Sequence, residues 1–311
     1  MIFKNLLLID GINRAGKNSI VDAITSLQRS ESIEMNYVFE HITEGVALNL
    51  ISKKFAKSFF EKFLNEIAYN KFLGRNSNFR KNDKSSIQNF SFPSVYKKRL
   101  YKKENSKKMF QNLKKTKNFF PFMTHEILSN LSSLDDIILN YKMIAIFRNP
   151  FDLIYSWKKK EIIKKLGNNN FTLTFNDSGK IYPWYVYHNS KKWLQLTEMN
   201  KISMIILDLI KKSIKNYKNS RNKKNIFVLK YEDYVCEPVF NLKKISKFLK
   251  TNFSSQTIKK LKKLELPLNI SAIEYKRNIR KRIIKKKLDP KIYKELEKLE
   301  QRYEKNFYGL R

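Results

Sequence analysis

The sequence predicts an α/β fold built on a central parallel sheet, with a helical insertion early in the chain. Apolar runs short enough for buried strands recur at 6–9, 142–147 and 225–230. Each ends at a cluster of turn-forming residues, and each cluster is followed by apolar residues at helical spacing. Strands alternating with helices pair in parallel, because the intervening helix carries the chain back to the same end of the sheet. Ligands of such sheets bind at the carboxyl ends of the strands, so the three strand ends are where function is sought.

The first run, Leu6 to Ile9, stops at Asp10-Gly11. Ile12, Asn13, Arg14, Ala15, Gly16, Lys17, Asn18 and Ser19 follow, and Ile20, Val21, Ala23, Ile24 and Leu27 then mark a helix. Glycines let such a turn aim several N–H groups inward, and the helix start adds partial positive charge, so anions bind there. Gly11, Gly16 and Lys17 fit the spacing of a nucleotide-binding P-loop, but that motif continues with Ser or Thr to hold Mg²⁺, and Asn18 stands in its place. Ser19 comes one residue late, which turns a side chain about 100° around a helix. The loop is therefore expected to hold a phosphate with its backbone and with Arg14 and Lys17, and no metal.

Residues 31–118 carry helical runs (Val46 to Leu50, then Phe55, Phe59, Phe63 and Ile67) and a polar loop, 74–86. Its Arg75, Arg80, Asn76, Asn78 and Asp83 suit hydrogen bonding to a sugar or phosphate, or equally a solvated connection. The second strand, 142–147, meets Arg148-Asn149-Pro150: Asn149 is placed to cap, Pro150 suits the first helical position and Asp152 complements the dipole. Ser156 lies two helical turns beyond the cap and shares the face of the helix start. Residues 167–182 alternate like a hairpin flap. The third strand, 225–230, leads into Tyr231-Glu232-Asp233, Pro238 and an amphipathic helix through Leu242, Ile245 and Leu249.

The composition bounds the rest. The chain has 311 residues, 42% of them hydrophobic, with seven glycines, seven prolines and no internal repeat, so one domain spanning 1–311 is expected. Lys and Arg number 64 against 28 Asp and Glu, a formal +36. Such an excess attracts polyanions, but it is diffuse and also fits drift at tolerant surface positions; 97–118 and 276–287 are its densest stretches. A lone cysteine, Cys236, excludes an internal disulfide, and His41, His125 and His188 are too scattered to suggest a metal cluster. No apolar run approaches membrane-spanning length and the first strand begins close to Met1, so a cytoplasmic protein without signal peptide or transmembrane segment is expected.

GINRAGKNS in its strand–turn–helix setting, then IFRNPFDLIYSW, then VLKYEDYVCEPVFNLKKISKFL resemble the sulfotransferase family, in that order along the chain. The closing LDPKIYKELEKLEQRYEKNFYGL resembles the family's last helix more weakly, and 31–118 hardly resembles it at all. The likeness implies a P-loop NTPase-like three-layer fold, in which 31–118 is a helical insertion on the acceptor side. It implies a donor, 3′-phosphoadenosine 5′-phosphosulfate (PAPS), whose 5′-phosphosulfate meets Gly11, Asn13, Arg14, Ala15, Gly16, Lys17, Asn18 and Ser19, and whose 3′-phosphate meets Arg148 and Ser156. It implies a catalytic set: His125, in PFMTHEIL, as the base that takes the acceptor's proton, with Arg14 and Lys17 stabilising the leaving phosphate. The departures are Arg14 where the family often has Lys, Lys17 and Asn18 where it has threonines, and Met123 where a lysine often precedes Thr-His. His188 falls in an aromatic segment suited to packing.

Two other readings compete. A P-loop kinase would use ATP and Mg²⁺ with Lys17 on the β/γ-phosphates and recruit Asp10 or Asp233; a basic protein without catalysis would bind nucleic acid with steep salt dependence. The expected partner is a small-molecule or glycan acceptor, or a lipid headgroup, and not nucleic acid. Oligomeric state leaves no trace in the sequence. Glu126 and Glu44 are the alternative bases.

Overall fold

The computed structural model describes residues 5–101, 103, 105–138, 140–168 and 171–310. Strand β1 (Leu6–Gly11) is buried along its whole length and runs through the loop at 12–16 into helix α1 (Lys17–Ile24). The chain then follows the sheet edge through bridges Ser30 to Phe119 and Glu34 to Phe122. A helical segment comes next: α2 (Val38–Ala47), α3 (Lys53–Leu73), α4 (Pro93–Leu100) and α5 (Ser106–Lys115).

Strand β2 (Phe120–Met123) returns to the sheet, followed by α6 (Leu131–Ile137), β3 (Lys142–Phe147) and α7 (Pro150–Lys159). A small antiparallel hairpin, β4 (Thr174–Asp177) with β5 (Lys180–Pro183), matches the flap expected at 167–182. Ser178 and Gly179 both take positive φ in its turn (51° and 81°), which matches the twist of a two-residue hairpin. Helices α8 (Ser190–Leu194) and α9 (Glu198–Asn219) lead to β6 (Ile226–Lys230), and α10 (Tyr231–Cys236), α11 (Pro238–Leu249), α12 (Thr257–Lys263), α13 (Ile270–Lys285) and α14 (Pro290–Asn306) complete the chain.

The main sheet has the order β2-β1-β3-β6, and every pair is parallel. Because β1 and β3 are buried almost throughout, helices must cover both faces, as parallel sheets require. Leu8 pairs with both Phe122 and Met143, so the strand ends fall level: Gly11, Thr124, Arg148 and Tyr231 all emerge at one edge. Strand β2 is the element the sequence reading lacked. Four residues with a proline, FPFM, give too short a pattern to recognise, and the proline sits at the sheet edge where a missing N–H is tolerated. Among the described residues no helix is long and apolar enough to cross a membrane.

The dense basic stretch at 276–287 does not stand free. Arg277 pairs with Asp152 (3.2 Å), Glu232 (3.0 Å) and Glu304 (2.7 Å), Arg280 with Asp152 (2.5 Å) and Lys281 with Glu300 (2.5 Å). Asn149 joins this network through its N–H to Glu232 (3.2 Å) and its amide to Glu300 and Glu304. Helices α13 and α14 thus clamp the turn that carries Arg148.

Candidate active site

The loop after β1 is shaped by two close approaches. A Cβ on Gly11 would lie 2.6 Å from the Ile146 carbonyl oxygen, and one on Gly16 would lie 2.1 Å from the ring of Tyr231. Gly16 also takes φ 97°, where glycine is favoured, and as N-cap it leaves the first turn of α1 without a side-chain cap. The N–H groups there remain available to an anion. Lys17 turns back under the loop: its ammonium donates to the carbonyls of Gly11 (2.6 Å) and Ile12 (3.2 Å). Trp157 of α7 donates to the Asn13 carbonyl (2.8 Å), and Glu126 accepts the Asn13 N–H (2.6 Å). The loop is thus held from both sides.

Arg14 reaches from the loop toward the turn after β3. Its backbone is left-handed (φ 72°), its carbonyl accepts from Arg148 (2.9 Å), and its Nε donates to the Ser156 hydroxyl (3.1 Å). Arg14 therefore joins Arg148 and Ser156 in one cluster, while Lys17 alone lies beneath the loop. The Arg148 guanidinium packs 4.8 Å over the Tyr231 ring, and its Nε is buried without a hydrogen-bond partner. A cavity of ≈ 390 Å³ opens over these groups, lined by the loop, Arg148, Tyr231, Lys84, Tyr37 and His125.

His125 follows β2. Its own N–H and its Nδ1 both lie 3.0 Å from Oε1 of Glu40, on α2. The arrangement in which Oε1 accepts two N–H bonds puts the ring proton on Nδ1 and leaves the lone pair on Nε2. Tyr37 stacks against the His125 ring (5.9 Å, 9°) and on its other contacts meets Phe171 (4.9 Å) and His41 (6.3 Å). Asp10, in contrast, is fully engaged: Thr124 donates to it (2.9 Å), as do the N–H groups of Ile127 (3.1 Å) and Leu128 (2.9 Å). The Ser19 hydroxyl donates to the Gly16 carbonyl (2.9 Å). Asp10, which a magnesium-dependent reading would recruit, is thus already committed within the fold.

A scan against protein families matches residues 24–309 to the sulfotransferase domain. The chain belongs to the sulfotransferase family. The match begins after the loop at 11–19. Among solved structures, this sulfotransferase is similar to the sulfotransferase domain from the curacin biosynthetic pathway (12% identity over 83% of this chain and 77% of that one, TM-score 0.44). It is similar also to the sulfotransferase domain of the Synechococcus PCC 7002 olefin synthase (11%, 82% and 76%, TM-score 0.40) and to a sulfotransferase of Mycobacterium tuberculosis H37Rv (11%, 88% and 76%, TM-score 0.41). A comparison with curated proteins returns no match.

Burial governs the charges of the sulfotransferase's site. It pushes Glu40 up to about 8 and Glu126 up to about 7, with Lys17 pulling each partly back. Burial, aided by the Lys17 charge, lowers His125 to about 4, and burial lowers Lys17 itself against the pull of Glu126, Asp10 and Glu40. Glu44 is raised too, and its Oε2 is buried without a partner. Carboxyls raised from 4.5 to about 7–8 hold more protons folded than unfolded between those values, so their stabilising contribution is present below pH 4.5 and lost as pH rises through 7–8. His125, lowered from 6.5 to about 4, has the opposite sign and costs stability as pH falls through that window. The stability these groups contribute should therefore be greatest near pH 4 and decline toward pH 8, by a few kcal/mol at most for the pair, and the melting temperature should follow. Glu126→Gln should flatten that decline in a calorimetric pH series; an unchanged slope would remove the buried acids as its source.

Most of the sequence-named residues do gather here: Gly11, Asn13, Gly16, Lys17, Asn18, Ser19, Arg14, Arg148, Ser156 and His125 share one edge of the sheet. Ala15 is buried, its N–H donating to Ile12, and supports the turn from inside. His188 is exposed and packs on Tyr187, away from this cluster. Glu40, Tyr37, Trp157 and Tyr231 were missed. Only Tyr231 had a signal, an aromatic directly at the end of a strand. The polar loop at 74–86 largely satisfies itself, Asn78 donating to Asp83 and Ser85 (3.0 Å each), though Lys84 reaches across to Asp22 at the cavity.

Proposed function

We propose that this sulfotransferase moves a sulfuryl group from PAPS to a hydroxyl or amine of a small molecule, glycan or lipid headgroup. The observation that carries the reading is the convergence of Arg14, Arg148 and Ser156 beside the uncapped start of α1, with a buried, unpartnered Arg148 Nε among them. Two anionic ends of one donor fit there: a 5′-phosphosulfate on the loop 11–19, and a 3′-phosphate on Arg14, Arg148 and Ser156. When bound, the donor supplies an activated sulfuryl group on a phosphate leaving group. The chain's residues do the rest. Backbone N–H groups hold negative charge at the loop, and Lys17, beneath it on the Gly11 and Ile12 carbonyls, adds positive charge from below to stabilise the leaving phosphate. Glu40 fixes the His125 tautomer so that Nε2 takes the acceptor's proton. Tyr37, Phe171 and His41 form an aromatic wall beside His125, the side from which an acceptor enters. We take the chain as one cytoplasmic domain with 31–118 on that side.

Binding of 3′-phosphoadenosine 5′-phosphate by calorimetry tests this. Arg148→Ala should weaken it by roughly 1.5–3 kcal/mol, the scale of a charge-assisted hydrogen bond, and hardly change binding of 5′-AMP, which lacks the 3′-phosphate. Equal weakening of the two nucleotides would overturn the assignment.

A further inference from the structure

A second concave site lies at the other end of the sheet. Under the amino ends of β1 and β3, a cavity of ≈ 500 Å³ is lined by Arg29, Lys117, Lys142, Lys224 and Lys250, and no carboxylate is among its described lining residues. High lysine content alone does not account for this. Outside the proposed donor site, with its Arg14, Lys17 and Arg148, basic groups of α4 and α13 are matched by acids: Arg99 by Glu31 (2.8 Å), and Arg277, Arg280 and Lys281 by the acids of α7, α10 and α14. Here five cations face one space with no acid paired to them among the described residues.

Two of the five are held in place. Lys142, half-buried, donates to the Phe248 carbonyl (2.5 Å) with its ammonium 4.8 Å over the Phe248 ring. Arg29 donates to the carbonyls of Lys250 and Lys117 (3.4 Å for the latter). Arg29 and Lys250 are both left-handed (φ 62° and 55°), a conformation that costs a non-glycine residue energy and that the fold maintains on both walls. Burial lowers the pKa of Lys142, and the charges of Lys250 and Arg29 lower it further, which is the mark of mutual repulsion. An anion of several charges relieves that repulsion. The volume suits a small molecule, and the apolar floor adds contact for its uncharged part.

We propose that this cleft binds a small molecule bearing several phosphate or sulfate groups, at a site separate from the loop 11–19. The probes are tripolyphosphate and a heparin-derived disaccharide trisulfate, titrated calorimetrically into the whole chain. Because tripolyphosphate can also meet the loop, the titration is repeated with that site saturated by 3′-phosphoadenosine 5′-phosphate, and in Arg148→Ala. Lys117→Glu/Lys224→Glu, both on the exposed rim, should weaken the cleft event about tenfold or more, the effect of losing one or two charge-assisted contacts. Arg148→Ala should leave that event in place. Lys54→Glu/Lys57→Glu on α3 changes the net charge equally and should leave it in place as well. Lys142→Met, which keeps the bulk of the stem, gives a second loss should the rim pair lower the melting temperature. Tighter binding of one probe assigns phosphate or sulfate as the natural group. The proposal is overturned if neither probe binds, if both cleft variants bind as wild type does, or if the α3 control weakens binding as much as the rim pair.

Discussion

His125→Ala is expected to lower kcat by about 10²–10⁴-fold, or roughly 3–5 kcal/mol of barrier, while nucleotide affinity stays close to that of the wild type. The separation follows from the geometry. The donor's proposed contacts, the loop 11–19 with Arg14, Arg148 and Ser156, receive no hydrogen bond from the His125 ring, whose Nδ1 is turned to Glu40. Nε2 is left as acceptor at the wall of the cavity. The pH profile is a second check, because the sequence alone places a histidine base near its ordinary 6.5, whereas burial beside Lys17 moves this one to about 4. The base is active when neutral, so kcat/KM, which reports the free enzyme, should stay level between pH 6 and 8 as far as this group is concerned and fall only as pH drops through about 4. A folded His125→Ala protein with unchanged turnover would take His125 out of the chemistry. Loss of melting temperature, nucleotide binding and turnover together would make it a structural residue.

What was legible in the sequence, and what was not, divides along the range of the interactions. Three of the sheet's four strands, β1, β3 and β6, showed themselves because a short apolar run ending in Gly, Arg-Asn-Pro or Tyr-Glu-Asp is a local signal, and the parallel sheet follows from helices between them. The glycine-shaped loop after β1 was legible for the same reason. Glu40 was not: it is one acid in an ordinary amphipathic helix, 85 positions from the His125 it orients, and only the placement of β2 beside β1 brings α2 over that histidine. Arg14 was visible as a cation in the loop, but its direction depends on Ser156, 142 positions away. The basic stretch 276–287 looked like surplus charge because its partners are scattered along the chain, Asp152 lying 125 positions from Arg277. Charge counted along a sequence says little about which cations the fold neutralises.

That last point sets the size of the second large effect, the removal of Arg277. Its side chain is 8% exposed, and it faces Asp152 at 1% and Glu232 at 3%, besides Glu304. The surrounding network is balanced: Asp152, Glu232, Glu300 and Glu304 against Lys230, Arg277, Arg280 and Lys281. Arg277→Met keeps bulk but leaves two buried carboxylates short of a cation. Breaking a buried pair from one side typically costs about 3–5 kcal/mol, against about 0–1 kcal/mol for an exposed pair, so a large drop in the urea midpoint with an unchanged slope is expected. Arg280 still reaches Asp152, and the Tyr303 hydroxyl still donates to Glu232, which places the loss toward the lower end of that range. Lys211→Met, at an exposed pair with Glu295, should fall within the surface range. The charge account has its own test: Arg277→Met combined with Glu232→Gln should recover part of the loss, because the uncompensated carboxylate is gone, whereas a packing account predicts that the double variant is worse than the single. Since Glu232 also accepts the N–H of Asn149, next to Arg148, Arg277→Met should weaken binding of 3′-phosphoadenosine 5′-phosphate as well, by loosening the turn that aims the guanidinium rather than by removing a contact. A variant as stable as the wild type would mean that water or Arg280 already neutralises these acids, and that the carboxy-terminal helices hold the Arg148 turn by packing alone.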